Sequence, residues 1–144
     1  MATSLTLFDS FKSTISSKIN LSTDTIKVGL ATSAQILSAS GQAIYADITA
    51  ELPTANGYTS GGVAVTSRTW EQTAGTAKLD FADVSWSIVT GSITARYFFI
   101  YSDTATNKDL IGFGFLDATP TDVTVPANVI LSLVINANGL LTLS

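Results

Sequence analysis

Residues 93–101, with the sequence ITARYFFIY, give the clearest strand pattern in the chain. Side chains alternate between the two faces of a strand, so residues of one parity share a face. Here one face is apolar or amphipathic throughout and is formed by Ile93, Ala95, Tyr97, Phe99 and Tyr101. The opposite face changes from polar to apolar at Phe98 and Ile100. We predict a β-strand over these residues and work outward from it.

The segment that follows predicts a hairpin partner for this strand. After a polar connection at 103–109, residues 110–116 again show a strand pattern, with Gly112 and Gly114 inside it. Glycine weakens a strand unless another group approaches its bare backbone closely. We therefore expect aromatic side chains of the 93–101 strand to cover these glycines across the hairpin.

Further short strands are predicted on both sides of this pair. They lie at residues 25–30, 62–70, 79–86, 123–125, 129–135 and 140–143. Residues 73–76 predict a turn, a change of phase at 82–83 predicts a β-bulge, and Asn138-Gly139 predicts a hairpin between the last two strands. Seven or eight short strands at regular spacing favour an all-β, mainly antiparallel fold, either a β-sandwich or a jelly-roll-like barrel.

Two segments depart from the strand pattern. Residues 4–19 predict a short N-terminal amphipathic helix, because apolar residues recur at spacings of three and four. Its apolar stripe is expected to pack either on its own domain or on a neighbouring subunit. Residues 33–61 predict an irregular excursion, and so long a connection in a compact domain is usually functional or mobile. The whole chain, 1–144, suits a single domain.

Composition removes most catalytic chemistry. The chain has no cysteine and no histidine, so thiolate nucleophiles, disulfides, Cys/His zinc sites and imidazole bases are excluded. The sequence also lacks a phosphate-binding glycine loop and a Gly-x-Ser-x-Gly elbow. We predict no catalytic residue, no cofactor and no metal, and therefore a protein that is not an enzyme.

Carboxylates are the remaining catalytic option. Glycosidases need two carboxylates across a cleft, and three pairs lie close in sequence: Asp80 and Asp83, Asp103 and Asp109, Asp117 and Asp122. Most of these residues lie within two positions of Gly, Thr, Pro or Asn, where aspartate commonly stabilises turns. Residues 103–109 also lack the glycine and glutamate of a calcium-binding EF-hand loop. A carboxylate hydrolase is thus the weaker alternative.

Charge and hydropathy indicate the kind of partner. Charged residues make up 12% of the chain and hydrophobic residues 46%, yet no apolar run approaches the roughly 20 residues of a membrane span. The start of the chain does not resemble a signal peptide. Seven basic residues are scattered rather than clustered, so neither membrane nor nucleic acid is expected as a partner. We expect other protein to cover part of the surface; a monomer coated with serine and threonine is the alternative.

The stretch Asn56-Gly57-Tyr58-Thr59-Ser60-Gly61-Gly62, followed by Val63-Ala64-Val65-Thr66, resembles small virion proteins encoded near the major capsid gene of tailed phages. Residues 24–30, 83–86 and 95–101 strengthen the resemblance, which covers most of the chain as a pattern of β-rich segments. It implies a capsid decoration, or cement, protein on the outer surface of the virion. The implied partner is the major capsid protein, and the implied state is a homo-oligomer, with a trimer favoured. Such a protein is present in the host cytoplasm during assembly.

Five residues are the candidate protein contacts of such a molecule: Phe8, Phe11, Ile15, Tyr58 and Trp70. Together with the excursion at 33–61, they supply the apolar anchors that a cement protein needs. The alternative is a receptor- or glycan-binding module of a head fibre or tail, in which Trp70 or Trp86 would contact the sugar. Isolated aromatic residues on strands are more often core or interface anchors.

Overall fold

The computed structural model describes residues 4–144 and confirms an all-β, mainly antiparallel fold with one short α-helix. The choice between a sandwich and a jelly-roll-like barrel stays a prediction. In chain order the elements are β1 (Thr6–Leu7), α1 (Phe11–Thr14), β2 (Ile26–Ala31), a 3-10 helix (Tyr45–Asp47), β3 (Val63–Ala64), β4 (Thr69–Thr73), β5 (Thr76–Asp80), β6 (Val84–Ile88), β7 (Ser92–Ala95), β8 (Tyr97–Ser102), β9 (Leu110–Phe115), β10 (Val123–Pro126), β11 (Val129–Leu133) and β12 (Leu141–Leu143).

A five-stranded antiparallel sheet, in the order β1-β9-β8-β2-β3, forms the centre of the fold. The predicted hairpin is confirmed between β8 and β9, where Phe98 lies opposite Gly114 and Ile100 lies opposite Gly112. A Cβ atom on Gly114 would lie 2.4 Å from the Phe98 ring. The ring therefore covers the bare backbone, as predicted for an aromatic residue across from glycine. At Gly112 the side chain of Leu5 takes this role.

The predicted strand 93–101 is divided at Arg96. Residues before this point form β7 and pair with β10, whereas residues after it form β8 in the central sheet. At the crossing, the Arg96 N–H donates to the Ala31 carbonyl oxygen at 2.9 Å. One continuous alternating segment of sequence therefore forms two consecutive strands that belong to different sheets.

Residues 76–95 and 123–143 run antiparallel to each other along almost their whole length, and we call this pairing the C-terminal ribbon. Its three ladders are β7 with β10, β6 with β11 and β5 with β12. The predicted bulge at 82–83 is wrong, because these residues connect β5 and β6, which pair with different strands. The predicted turn at 73–76 is confirmed, since Thr73 pairs with Thr76 and β4 is joined to β5 through it.

The hairpin predicted at Asn138-Gly139 is also wrong. A turn does form there, with a positive φ of 85° at Gly139 and its N–H donating to the Asn136 carbonyl oxygen. However, β11 and β12 on either side of it pair with β6 and β5 instead of each other. The turn only redirects the chain along the ribbon.

Two apolar clusters cover the two faces of the central sheet. The main core brings this sheet and the ribbon together, since one cluster contains Phe98 and Ile100 of the sheet and Trp86 and Leu131 of the ribbon. Side chains of the other parity, including Phe99 and Tyr101, form a second cluster with Leu37 and Ile48 of the 33–61 excursion. All six residues of β8 are buried for this reason. The excursion therefore covers the second face of the sheet.

The helix predicted over residues 4–19 is wrong in extent, since only Phe11–Thr14 are α-helical. Thr6 and Leu7 instead pair with Phe113 and Gly112 as the edge strand β1. Short isolated helices are marginal in water, and pairing with β9 satisfies backbone groups that would otherwise lack partners. Within residues 4–144, no helix has the length and apolar character needed to cross a bilayer.

Candidate protein-contact surface

The structure separates the five candidate contact residues into two groups. Phe8, Phe11 and Tyr58 are each at most 1% exposed. Phe8 lies against Phe113, with ring centroids 5.0 Å apart, and Phe11 and Tyr58 belong to the main core. In this fold these three side chains hold the chain's own elements together. A partner could reach them only after the surface above them had opened.

Ile15 and Trp70 are partly buried and line one cavity of about 390 Å³, together with residues 16–21. A second cavity of about 230 Å³ shares Ser17 and Lys18 with the first in its lining and is also lined by Asp109. We call the two cavities together the 15–21 groove. The structure thus brings two of the five predicted contact residues into one concave site.

The Asn56–Gly62 motif is held to the body of the protein by Glu51. The Tyr58 hydroxyl donates to the Glu51 carboxylate at 2.7 Å and accepts from the Leu30 N–H at 3.0 Å. The Gly61 N–H and the Ser60 hydroxyl also donate to Glu51, at 2.7 and 3.2 Å. The motif therefore serves the packing of the excursion against β2.

Glycines in this motif allow close backbone approach. Gly57 and Gly62 have φ values of 103° and 75°. A Cβ atom at either position would lie 2.0–2.1 Å from a carbonyl oxygen, of Ser87 and Val28 respectively. Only glycine combines this conformation with such contact.

Burial and the contacts with Glu51 keep three tyrosine side chains around the motif, Tyr45, Tyr58 and Tyr101, in the protonated form. Burial, followed by the hydrogen bond to Glu51, raises the pKa of Tyr45 to about 12. Burial raises the pKa of Tyr58 and Tyr101 as well, and Glu51 contributes to both shifts. These phenols remain protonated near neutral pH, which disfavours them as nucleophiles. Sequence reasoning missed Glu51, although an isolated glutamate in a weakly charged segment is a usable signal.

Most of the paired aspartates are held in ion pairs or turns. Asp103 lies 2.7 Å from Lys108 and 3.0 Å from Lys27, and hydrogen bonds from these lysines lower its pKa. Hydrogen bonds from the backbone N–H of Thr119, then from nearby hydroxyls, lower the pKa of Asp117. A carboxyl group with a lowered pKa is a poor proton donor near neutrality. Within residues 4–144, no three or more acidic side chains group closely enough to hold a metal ion.

Five of the eight exposed large hydrophobic side chains within residues 4–144 lie on the ribbon: Val89, Val129, Ile130, Val134 and Leu143. Residues 123–144 contain no charged side chain. Ile130 of β11 is 62% exposed, and Val89, which follows the paired strand β6, is 63% exposed. Ile130 lies opposite Ser87, so both apolar residues are expected on one side of the ribbon among small serines. We call this surface the β6–β11 outer face; its residues are Ser85, Ser87, Val89, Ile130 and Ser132.

Ile36, near the start of the excursion, is a separate apolar side chain that is 78% exposed. Its neighbours Gln35 and Leu37 are buried. The Gln35 amide oxygen accepts from the Thr49 and Ala50 N–H groups at 2.8 and 3.1 Å. Ile36 is therefore presented to solvent from a loop that is fixed on both sides. Sequence reasoning missed both Ile36 and Ile130, because it selected contacts from the apolar stripe of the predicted helix and from aromatic residues.

Comparison with protein-family models, with curated proteins and with solved structures finds no match to this chain.

Proposed function

We propose that this chain is a non-enzymatic structural protein of a tailed-phage virion, which binds the outer capsid shell and stabilises it. The observation that carries the proposal is the β6–β11 outer face, an uncharged surface from which Val89 and Ile130 project. The likeness of residues 56–66 and 95–101 to small virion proteins supports a capsid partner.

The position of this face in the fold favours a covered surface. Strand β11 is the edge of its two-stranded ladder, and exposed edge strands usually carry charges or proline that prevent association. Pro126 protects β10 in this way, whereas β11 contains neither a charged residue nor proline. An uncharged edge beside exposed apolar side chains is typical of a surface that another protein covers.

The size of the face favours binding by several copies together. Complete burial of Val89 and Ile130 would contribute at most about 5 kcal/mol. This corresponds to roughly millimolar affinity even before the cost of association. In a trimer, the second and third faces bind intramolecularly once the first is attached. A ligand that binds only the assembled shell stabilises it by mass action, so weak faces suffice for a cement protein.

The test is sedimentation of the purified protein with capsids that lack it. The wild type is expected to sediment with particles at a copy number close to that of the major capsid protein. Val89→Asp and Ile130→Asp should each abolish this, because binding would bury an unpaired carboxylate. Gln72→Asp, on the exposed strand β4, is the matched control and should bind normally.

Three results would contradict the proposal. One is absence of the protein from purified virions by gel densitometry, and another is a copy number of only a few per particle. The third is normal capsid binding by both aspartate variants.

A further inference from the structure

The chain contains two asparagine-glycine pairs in the same local sequence, Ala55-Asn56-Gly57 and Ala137-Asn138-Gly139. An asparagine that precedes glycine can lose its side-chain amide without an enzyme. Glycine has no Cβ atom, so its backbone nitrogen can approach the asparagine side chain closely. Because the residues at the two sites are the same, any difference in reactivity between them has to come from the fold.

The fold fixes the side chain of Asn56, which is partly buried. Its Nδ2 group donates to the Ser92 carbonyl oxygen at 2.9 Å, and its Oδ1 atom accepts from the Thr90 hydroxyl at 3.4 Å. The next residue, Gly57, is packed so closely that a Cβ atom on it would lie 2.0 Å from the Ser87 carbonyl oxygen. Neither the Asn56 amide group nor the Gly57 backbone is therefore free to turn toward the other.

The side chain of Asn138 is exposed, and no hydrogen bond within residues 4–144 holds its amide group. The backbone beside it is held only within the turn, where the Gly139 N–H donates to the Asn136 carbonyl oxygen at 2.8 Å. This bond must open before the Gly139 nitrogen can react. Exposed turns are among the parts of a protein that open locally at the lowest cost in free energy.

The reaction needs only water and a solvent base. The base removes the proton of the Gly139 N–H, and the nitrogen attacks Cγ of Asn138. The new N–C bond closes a cyclic imide, while the bond from Cγ to Nδ2 breaks and the amide nitrogen takes up a proton and leaves as ammonia. Water then opens the imide at either carbonyl group. The product is aspartate, or isoaspartate when the main chain runs through the former side-chain carbon.

We propose that Asn138 is a site of spontaneous deamidation in the folded protein, whereas Asn56 is protected by its contacts. Residues 123–144 contain no charged side chain, so the reaction introduces the first one. Isoaspartate also lengthens the backbone just before β12, whose Leu141 is buried opposite Leu79. Molecules with isoaspartate are therefore expected to lose part of the pairing between β12 and β5. This modification does not depend on shell binding.

The test follows both asparagines in one sample of the full chain. Folded protein is incubated at mildly alkaline pH, and its peptides are analysed by mass spectrometry, which detects the gain of one mass unit on deamidation. Asn138 is expected to convert at least about tenfold faster than Asn56, which corresponds to about 1.4 kcal/mol in activation free energy. The same incubation in guanidinium chloride should bring the two rates together, because unfolding removes the contacts that protect Asn56.

Two variants separate the effects of chemistry and charge. Asn138→Gln is the matched control, since the longer side chain has to close a larger ring; it should abolish conversion at this position and leave Asn56 as in the wild type. Asn138→Asp introduces the charge without lengthening the backbone. On an exposed turn it should change the free energy of unfolding by less than about 0.5 kcal/mol, whereas the purified isoaspartate form should unfold at a lower urea concentration than the wild type.

Equal rates at Asn56 and Asn138 in the folded protein would overturn the proposal. Conversion of both in guanidinium chloride but of neither in the folded protein would overturn it as well. If the faster rate at Asn138 persisted after unfolding, the fold would not be its cause. Since these incubations contain no capsid, their outcome is distinguishable from failure of shell binding.

Discussion

Substitution of Gly114 by alanine tests the packing of the central sheet. The new Cβ atom would lie 2.4 and 2.5 Å from two carbons of the Phe98 ring and 2.5 Å from the Ser4 carbonyl oxygen. Carbon atoms in van der Waals contact lie about 3.5–4.0 Å apart, so the ring must move by more than 1 Å. Phe98 is fully buried, and close-packed interiors resist such movement.

The expected loss of stability is about 2 kcal/mol. Inserting a methyl group into a well-packed core costs roughly 1–3 kcal/mol. Replacing glycine in a strand recovers about 0.5–1 kcal/mol through the unfolded state. The contact with a backbone oxygen places the cost at the upper end, because a carbonyl group cannot rotate away as a side chain can. For a domain of this size the melting temperature should fall by roughly 4–8 °C.

The measurement is urea unfolding, with thermal melting alongside. Gly41→Ala is the matched control, because its new Cβ would meet the Ser38 hydroxyl, which can turn aside on an exposed loop. This variant should stay within about 0.5 kcal/mol of the wild type. Adding Phe98→Leu to Gly114→Ala should cost less than the two single changes together. Equal stability of the Gly114 and Gly41 variants would refute the pairing of Phe98 with Gly114.

Three further predictions concern the tyrosine cluster and the division between core and contact residues. The pKa of Tyr45 is raised to about 12 from 10.0 for a free phenol. The stabilisation that this shift represents is therefore complete below pH 10 and is lost as the pH rises toward 12. Urea unfolding across this range, with phenolate absorbance, should show that decline, and constant stability would contradict it. Glu51→Gln should cost about 1–3 kcal/mol in the same assay, because one amide oxygen replaces a carboxylate that accepts several hydrogen bonds; a neutral effect would mean that Glu51 does not hold the motif. Phe8→Ala should lower the free energy of unfolding by about 3–5 kcal/mol, whereas Ile130→Ala should lower it by less than about 0.5 kcal/mol. A larger loss for Ile130→Ala than for Phe8→Ala would show that the assignment of Phe8 to the core and Ile130 to the surface is wrong.

Local patterns predicted the β class and the central hairpin from sequence. The alternating strand at residues 93–101 and the glycine-containing strand at 110–116 follow each other with only a short connection. Their pairing could therefore be predicted from local sequence patterns. The break at Arg96 is not recoverable in the same way. Alternation continues through it, and only the pairing of β7 with the distant β10 shows that the strand changes sheets.

Two of the wrong local predictions, the helix over residues 4–19 and the hairpin at Asn138-Gly139, share one cause. Apolar residues at 5, 8, 11, 15 and 19 have helical spacing, and Asn138-Gly139 has the composition of a hairpin turn. In each case a distant strand competes for the same backbone: β9 pairs with residues 6–7, and β5 with residues 141–143. Tertiary pairing prevails over local preference because most helical stability in proteins comes from packing.

The candidate site was predictable only in part. Ile15 and Trp70 were chosen for apolar or aromatic character and do lie together in the 15–21 groove. Asp109 was considered only as a turn, catalytic or calcium-loop residue, since burial of a carboxylate cannot be read from its neighbours in sequence. Ile130 is exposed and the next residue, Leu131, is buried. The register of β11 with β6 determines which of the two side chains faces outward.

The C-terminal ribbon also determines when this protein can fold. Ala77 pairs with Leu143, so the strand that covers β5 is the last of the twelve to be translated. Until residues 123–143 are translated, Trp86 has no opposite strand and Leu79 is paired only with Trp70 of β4, so the ribbon assembles only after those residues have been synthesised. Pairing between such distant segments is slow and leaves strand edges exposed on the way. We expect nascent chains to depend on cellular chaperones, and expression at low temperature to improve the yield of folded protein.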